Sequence, residues 1–381
     1  MKIAFVSTEK LPVPAVLGGA VQIYISGVLP YLSKHHDITV FSGASPDLAR
    51  AETRDGVRYV RITAKPGRYI EAVKSHLDGS FDLVHIFNRP LWLLSLCGTH
   101  PGLKYSLSLH NDMFHPDRMT VQEVYECVQK ASFITAVSKY TADMAIRACP
   151  AANGKIHVVY SGVDAGMYRL SARETGLLDE RNRLKGDIGL KDRKLVMFAG
   201  RLCPEKGVHV LIRAMRRIMD GREDAALVIA GSRAFGSSRD DKYVRSVKTL
   251  AKELKGPVIF TGFLTPDKLA EYYCMADIFV CPSQWQEPLA RVLYEAMAAG
   301  LPVVVTDRGG NCEVVSDMAN GVVVKEYGSS ESLAQAISVL LDAPGDAEGM
   351  GMAGQAAVLR SFSWERVAGD IDRLINSALS A

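Results

Sequence analysis

What this chain lacks narrows its function before any motif is read. No apolar run approaches the roughly 20 residues of a membrane-spanning helix, so no transmembrane segment is expected, while peripheral membrane contact stays open. The start, "MKIAFVSTEK", has one early lysine and a short apolar run, which reads as a first strand and not as a secretory signal. An excess of one charge is also missing: 45 basic and 42 acidic residues leave a formal net charge of +3 in 381 residues. Binding to nucleic acid through bulk charge is therefore not expected, while local basic patches stay open. The seven cysteines are odd in number and scattered, with no C-x-x-C pair. Neither a zinc ribbon nor a redox pair is visible, and reduced thiols in a cytoplasmic protein are expected.

Several catalytic signatures are missing as well. The loop after the first strand does not read G-x-G-x-x-G, so a dinucleotide-dependent dehydrogenase is disfavoured, and neither H-E-x-x-H nor G-x-x-x-x-G-K-[ST] occurs. "YSGVDAG" lacks the G-x-S-x-G elbow, which removes Ser161 as a nucleophile. Asp370 and Asp372 have D-x-D spacing but fall in an amphipathic tail, where a solvated helix face is the simpler account. No metal site is expected.

What is present is a rhythm. Short, apolar, β-branched runs alternate with helical patterns: 2–7, 37–42, 57–62, 82–87, 104–110, 132–138 and 155–160, then 194–200, 225–231, 257–262, 277–283, 302–306 and 320–324. That alternation predicts an α/β protein with parallel sheets covered by helices on both faces. A polar stretch interrupts it near the midpoint. The expected division is a Rossmann-like domain over 1–170, a helix-containing linker over 171–189, a second Rossmann-like domain over 190–360 and a C-terminal helix over 361–381. Ser363 is a good N-cap for that helix.

The segment "EPLARVLYEAMAAGLPVVVT" carries two carboxylates eight residues apart, Glu287 and Glu295. Pro288 suits the first position of a helix, which Gly300 can stop. Eight helical residues rise about 12 Å, on the order of a diphosphate plus a ribose. Free N–H groups on Leu289 and Ala290 would face an anion at the positive end of the helix dipole, with Glu295 placed for ribose hydroxyls. Two such carboxylates beside a diphosphate need cations. Arg201 and Lys206 in "AGRLCPEKGVHVLIRA" follow a buried strand at its carboxyl end, the ligand-facing edge of an open α/β sheet. A solvated surface charge is the competing account of each.

In the first half, Gly18 and Gly19 fall in the loop after the first strand, directly before a helix, where a backbone can approach a phosphate or sugar. A plain tight turn explains them as well. "SLSLHNDMF" leaves His110, Asn111 and Asp112 at the carboxyl end of another strand, placed to bond a sugar.

As a set, the glutamate pair, "GRLCPEKG", the early Gly-Gly and "LHN" resemble the retaining glycosyltransferases of family 4, with the GT-B fold. Within that family, "STEKLPVPAVLGGAVQIYISGVLP", "HIFNRPLW" and "LHNDMF" look like the spore coat protein SA branch. The resemblance implies two Rossmann-like, doubly wound parallel-sheet domains facing each other across a cleft, with the helix begun by "FSWERVA" crossing back to the first. It implies transfer of a hexose-type sugar from a nucleoside diphosphate sugar, UDP-sugar favoured, to an acceptor hydroxyl, with no cofactor and no essential metal. Glu287, His110, Arg201 and Lys206 would then be catalytic. Gly18, Gly19, Asn111, Phe263, Leu289, Ala290 and Glu295 would bind substrate, Phe263 through the backbone of "TGFL" at the base. Many relatives have glycine where this chain has Ala290. The acceptor is left open, and residues 10–20, 64–70 and 110–120, with Tyr69, Arg89 and Trp92, are where it would be met. A sugar-nucleotide epimerase of the same fold and a structural spore-coat protein with little activity are the alternatives; the location expected is cytoplasmic or on the coat.

Overall fold

The computed structural model describes residues 1–65, 67–171, 175–233 and 240–380. The chain divides into two compact units, one of residues 1–162 with 364–381 and one of residues 163–363. Each is an open, twisted sheet with helices on both faces.

The first unit holds β1 (Lys2–Val6), β2 (Asp37–Gly43), β3 (Ala51–Arg54), β4 (Val57–Ile62), β5 (Leu83–Phe87), β6 (Lys104–Leu109), β7 (Ala131–Ala136) and β8 (Ile156–Val158). They lie in the order β3-β4-β2-β1-β5-β6-β7-β8. All neighbours are parallel except the β3–β4 pair. Side chains alternate across the sheet, as a strand demands. Ile3 and Phe5 join one buried cluster with Trp364, and Ala4 and Val6 join the cluster on the other face. β1 is therefore apolar at every buried position, and it sits in the middle.

The C-terminal helix, Trp364–Ser380, belongs to this unit. Val367, Ala368, Ile371 and Ile375 form its buried stripe. Trp364 meets Tyr24 edge-to-face with centroids 5.9 Å apart. Polar ties frame the stripe: the buried His36 Nε2 lies 2.6 Å from Asp372, Lys104 Nζ donates to the Ala378 carbonyl at 2.9 Å, and Arg366 donates to the Tyr160 carbonyl at 2.8 Å.

The second unit holds β9 (Lys194–Ala199), β10 (Ala225–Ala230), β11 (Val258–Gly262), β12 (Ile278–Cys281), β13 (Val303–Thr306) and β14 (Gly321–Val324), in the order β11-β10-β9-β12-β13-β14. All neighbours are parallel. The chain winds from β9 outward to β11, then returns to the other side of β9 as β12. The switch point of the topology therefore lies between β9 and β12, where such sheets hold ligands at the carboxyl edge. In the first unit the corresponding point lies between β1 and β5.

All thirteen strands expected from the sequence are present. Among the described residues the one it missed is β3, "AETR", an exposed, polar edge strand paired antiparallel to β4. Its signal was the two-residue turn Asp55-Gly56, where both φ angles are positive (52° and 75°), the requirement of a tight hairpin. The boundaries also differ from those expected. The second unit starts at Val163, so the stretch expected as a helix-containing linker, of which 172–174 lie outside the described residues, falls inside that unit; its helix is Thr175–Asp187. Arg181 and Lys185 of this helix grip opposite oxygens of Asp277, at 2.7 and 2.8 Å, at the entrance to β12. A helix tied so to a central strand moves with its sheet.

Candidate active site

In the second unit, three adjacent strands deliver one cluster. Lys206 comes from the loop after β9, Ser283, Trp285 and Glu287 from the loop after β12, and Gly309, Gly310 and Asn311 from the loop after β13. The first two loops press together: a Cβ on Gly207 would stand 1.8 Å from the Pro282 carbonyl oxygen, and Gly207 has φ of 73°. The third closes on Glu287 in the same way. Gly310 N–H donates to the Glu287 carbonyl at 2.8 Å, and a Cβ on Gly309 would stand 2.0 Å from that oxygen. No side chain fits at either glycine.

Glu287 is buried and its Oε2 accepts three hydrogen bonds, from Lys206 Nζ at 2.5 Å, Trp285 Nε1 at 2.7 Å and Ser283 Oγ at 3.1 Å. Lys206 Nζ also lies 5.6 Å from the centre of the Trp285 ring. The carboxylate is thereby held as a fixed acceptor, with its charge matched by an adjacent cation. Below it, the buried Cys281 thiol is pushed up to about 11, first by burial and then by the Glu287 charge. It stays a neutral thiol.

Glu295 is likewise buried, on the helix Arg291–Ala298. Tyr273 Oη donates to its Oε2 at 3.1 Å, and the Arg291 guanidinium, one turn back, lies 3.7 Å from Oε1. Burial, then the Glu295 charge, holds the Tyr273 hydroxyl well above its ordinary value, so it remains a donor. Tyr168 packs edge-to-face on Tyr273 at 5.8 Å.

Two details correct the expectation for this segment. The helix starts at Arg291, with Ala290 as its N-cap, so Glu287 lies in the loop before it and Pro288 is outside the first turn. From Arg291 to Glu295 the rise is about 6 Å, not 12. The Ala290 N–H, expected free for an anion, donates to Asn311 Oδ1 at 3.0 Å. Asn311 is fully buried, and its amide locks the loop after β13 onto the entrance of the helix. Leu289 is buried at the same entrance.

Arg201 is exposed just past β9, near enough for its charge to act on Cys203 and Glu205. Phe263, partly buried, follows Gly262 at the carboxyl end of β11. Lys206 and Glu287 are thus brought into contact, while Arg201 and Phe263 share their sheet edge.

In the first unit, Gly18 and Gly19 have φ of 80° and 96°. Gly19 caps the helix Ala20–Leu32, and a Cβ there would stand 2.5 Å from Gln22 Oε1 and 2.7 Å from Leu11. The fold itself therefore accounts for Gly19. His110, just past β6, is buried; its N–H donates to Asn88 Oδ1 at 3.1 Å, its Nε2 lies 3.2 Å from Ser108 Oγ, and Tyr24 packs against its ring at 4.9 Å. Asn111 and Asp112 follow, partly buried. Asn88 has φ of 56°, a left-handed conformation that asparagine tolerates better than most residues. Of the residues set aside for an acceptor, Arg89 makes a two-pronged ion pair with Glu9 at 3.1 Å and lies over Trp92, which packs on Tyr69. Pro66, in the stretch 64–70, lies outside the described residues.

Comparison with known proteins then places the chain. Residues 18–166 match the model of Glycosyltransferase Family 4, and residues 180–357 match that of Glycosyl transferases group 1. The spore coat protein SA of Bacillus subtilis is 41% identical over 97% of both chains. The chain belongs to the family 4 glycosyltransferases. A putative glycosyltransferase of the same organism, YtcC, is 45% identical over 88% of this chain and 82% of its own. The resemblance to the spore coat protein SA branch holds at that level of identity. Among solved structures, Anabaena HepE in complex with UDP-glucose superposes with a TM-score of 0.80, at 21% identity, over 99% of this chain and 100% of its own. Sucrose-phosphate synthase of Thermosynechococcus elongatus gives 0.83 at 21% identity over 100% and 99%. This glycosyltransferase therefore has the GT-B fold, and among its described residues no helix is long and apolar enough to cross a membrane.

Ser283, Trp285, Asn311 and Asn88 escaped the sequence reading. A tryptophan two residues before a glutamate in a polar loop was the available signal for Trp285. The others show themselves only once β9, β12 and β13 are side by side.

Proposed function

We propose that this glycosyltransferase moves a hexose-type sugar from a nucleoside diphosphate sugar, UDP-sugar favoured, to an acceptor hydroxyl, with retention of anomeric configuration. The observation that carries it is the Lys206–Glu287 pair at the carboxyl edge of the switch point, with the carboxylate capped by Trp285 and Ser283. Lys206 and Arg201 supply positive charge for a diphosphate as it leaves, the electrostatic contribution that is usually largest in catalysis. Glu287 accepts hydroxyls of the transferred sugar, Glu295 those of the ribose, and His110 bonds the sugar near its C6 hydroxyl. The bond from the anomeric carbon to the diphosphate oxygen breaks first. That oxygen then takes the proton of the acceptor hydroxyl as the new glycosidic bond forms on the same face.

The three donors on Glu287 Oε2 favour this route over attack by the carboxylate. A retaining glycosidase uses one carboxylate as its nucleophile. On Glu287 three donors share one oxygen, and the adjacent Lys206 charge weakens the carboxylate as a nucleophile. The UDP-glucose bound to HepE supports a UDP-sugar as donor. The name of the spore coat relative supports a second reading, service within or beneath a spore coat, by an enzyme or by a structural protein with little turnover.

The deciding experiment is a thermal-shift screen of UDP-, GDP-, ADP- and dTDP-sugars, followed by NMR of the product formed from the best binder. Donor turnover with the anomeric configuration kept is the expected outcome. An inverted product overturns the mechanism, an epimerised sugar nucleotide overturns the reaction, and binding without turnover favours the structural reading.

A further inference from the structure

The centre of the first sheet carries polar side chains where apolar ones would pack more simply. His85 on β5, Ser106 and Ser108 on β6, and Thr135 on β7 are all at most 2% exposed. Burying hydroxyls is unfavourable unless each finds a partner. Here they pair across strands, in register: His85 opposite Ser106, and Ser108 opposite Thr135. His85 Nδ1 lies 2.7 Å from Ser106 Oγ, and among the described residues no further hydrogen bond leads on from that pair, whose His85 Nε2 is buried without a partner. The second pair continues. Thr135 Oγ1 donates to Ser108 Oγ at 2.8 Å, and Ser108 Oγ stands 3.2 Å from His110 Nε2. Since Ser108 Oγ already receives the Thr135 proton, its own hydrogen is left to donate, and His110 Nε2 is the acceptor within reach.

A neutral imidazole that accepts at Nε2 carries its proton on Nδ1. The backbone of His110 is held as well, by Asn88 Oδ1 at 3.1 Å, and the ring is held by Tyr24. The sheet therefore holds the ring in place and offers a donor to its Nε2.

We propose that Ser108 and Thr135 are positioning residues that fix His110 as the Nδ1–H tautomer, so that the ring serves as a donor to the sugar in glycosyl transfer. The proposal rests on the transferase reading for what the ring meets, but the tautomer itself is a property of the free protein. Ser108→Ala removes the donor to Nε2. Thr135→Val removes only the hydroxyl that turns Ser108 toward the ring, at nearly constant volume, and Thr135→Ser puts that hydroxyl back.

The test is NMR of the full chain labelled with ¹⁵N-histidine, with the His110 signals assigned by His110→Asn, beside initial rates with UDP-glucose. In the wild type, Nδ1 is expected protonated and Nε2 bare. Ser108→Ala and Thr135→Val are expected to shift that balance toward Nε2–H and to lower kcat about three- to tenfold, the worth of one neutral hydrogen bond, with KM for the donor little changed. Thr135→Ser is expected to restore both. A wild-type His110 protonated on Nε2 overturns the proposal, as does an unchanged tautomer in both Ser108→Ala and Thr135→Val. Absence of wild-type turnover, with the tautomer as stated, counts against the transferase reading and leaves the positioning of the ring in place.

Discussion

Lys206 and Arg201 share one proposed role but sit in different surroundings, and removing their charges separates catalysis from folding. Lys206 and Glu287 have side chains only 18% and 7% exposed, 2.5 Å apart. Taking one partner from a fully buried pair costs about 3–5 kcal/mol. Here Trp285 Nε1 and Ser283 Oγ stay on the carboxylate, and Lys206 is partly open to water, so about 1–3 kcal/mol is expected for Lys206→Met. In a unit of some 200 residues, residues 163–363, that lowers the melting temperature by about 2–12 °C. Arg201 is exposed, and Arg201→Ala should melt within about 1 °C of wild type. On the rate, each change removes a charge-assisted contact to the leaving diphosphate worth about 1.5–3 kcal/mol, or about ten- to a hundredfold. Adding Glu287→Gln to Lys206→Met removes the orphaned carboxylate, so the double variant should melt higher than Lys206→Met alone while transferring sugar no faster. Differential scanning fluorimetry and initial rates on the same four proteins give both answers. If Lys206→Met melts and transfers like wild type, the pair neither holds the loops together nor meets the diphosphate. If the double variant melts lower than the single, the carboxylate is stabilised by something other than that lysine.

Three further expectations follow from the same geometry. Glu295→Ala should weaken UDP binding about tenfold or more, whereas Glu287→Ala should spare UDP and impair transfer, as read by calorimetry and rates; equal loss of UDP affinity in both would contradict the division. Transfer should survive EDTA, because Lys206 and Arg201 are positioned to supply the positive charge; complete loss restored by magnesium would count heavily against these roles. The buried His85 has its basicity lowered from an ordinary 6.5 to about 3, first by burial and then by neighbouring His110. The unfolded chain then binds a proton that the folded one refuses, so this contribution is intact above pH 6.5 and is lost as pH falls toward 3, at about 1.4 kcal/mol per unit. Melting temperature against pH should therefore fall less steeply in His85→Phe between pH 6.5 and 4.5, and parallel curves would show that His85 does not titrate this way.

The fold was legible because its strands advertise themselves. A central parallel strand is buried on both faces, so "IAFV" and "PVVVT" are apolar without alternation, and with the less uniform runs thirteen strands can be counted in order. β3 had no such run. It exists because Asp55-Gly56 turns the chain back onto β4, and an edge strand facing water needs neither apolar face nor length. The boundary near 163 was hidden for a related reason: the charges of the helix Thr175–Asp187 read as solvent-facing, yet two of them hold Asp277.

The site was legible in its charges and illegible in its neutral parts, and the difference is physical. Although a solvated surface would account for each cation alone, Arg201 and Lys206 follow a strand's carboxyl end, and Glu287 and Glu295 stand eight residues apart, so the four stand out as a set. Asn311 does not, because an amide is common in any loop, and its meaning depends on a contact 21 residues away with the Ala290 N–H. That contact also shows why a helix entrance is read poorly from sequence. Pro288 predicts a first turn by its fixed φ, but the turn begins where a donor is satisfied, and Asn311 satisfies Ala290, so the helix starts at Arg291. Glu287 is thereby released from helical geometry into a loop that Gly309 and Gly310 can wrap. Only from there can its carboxylate meet Lys206 from one strand's exit and Trp285 from its own.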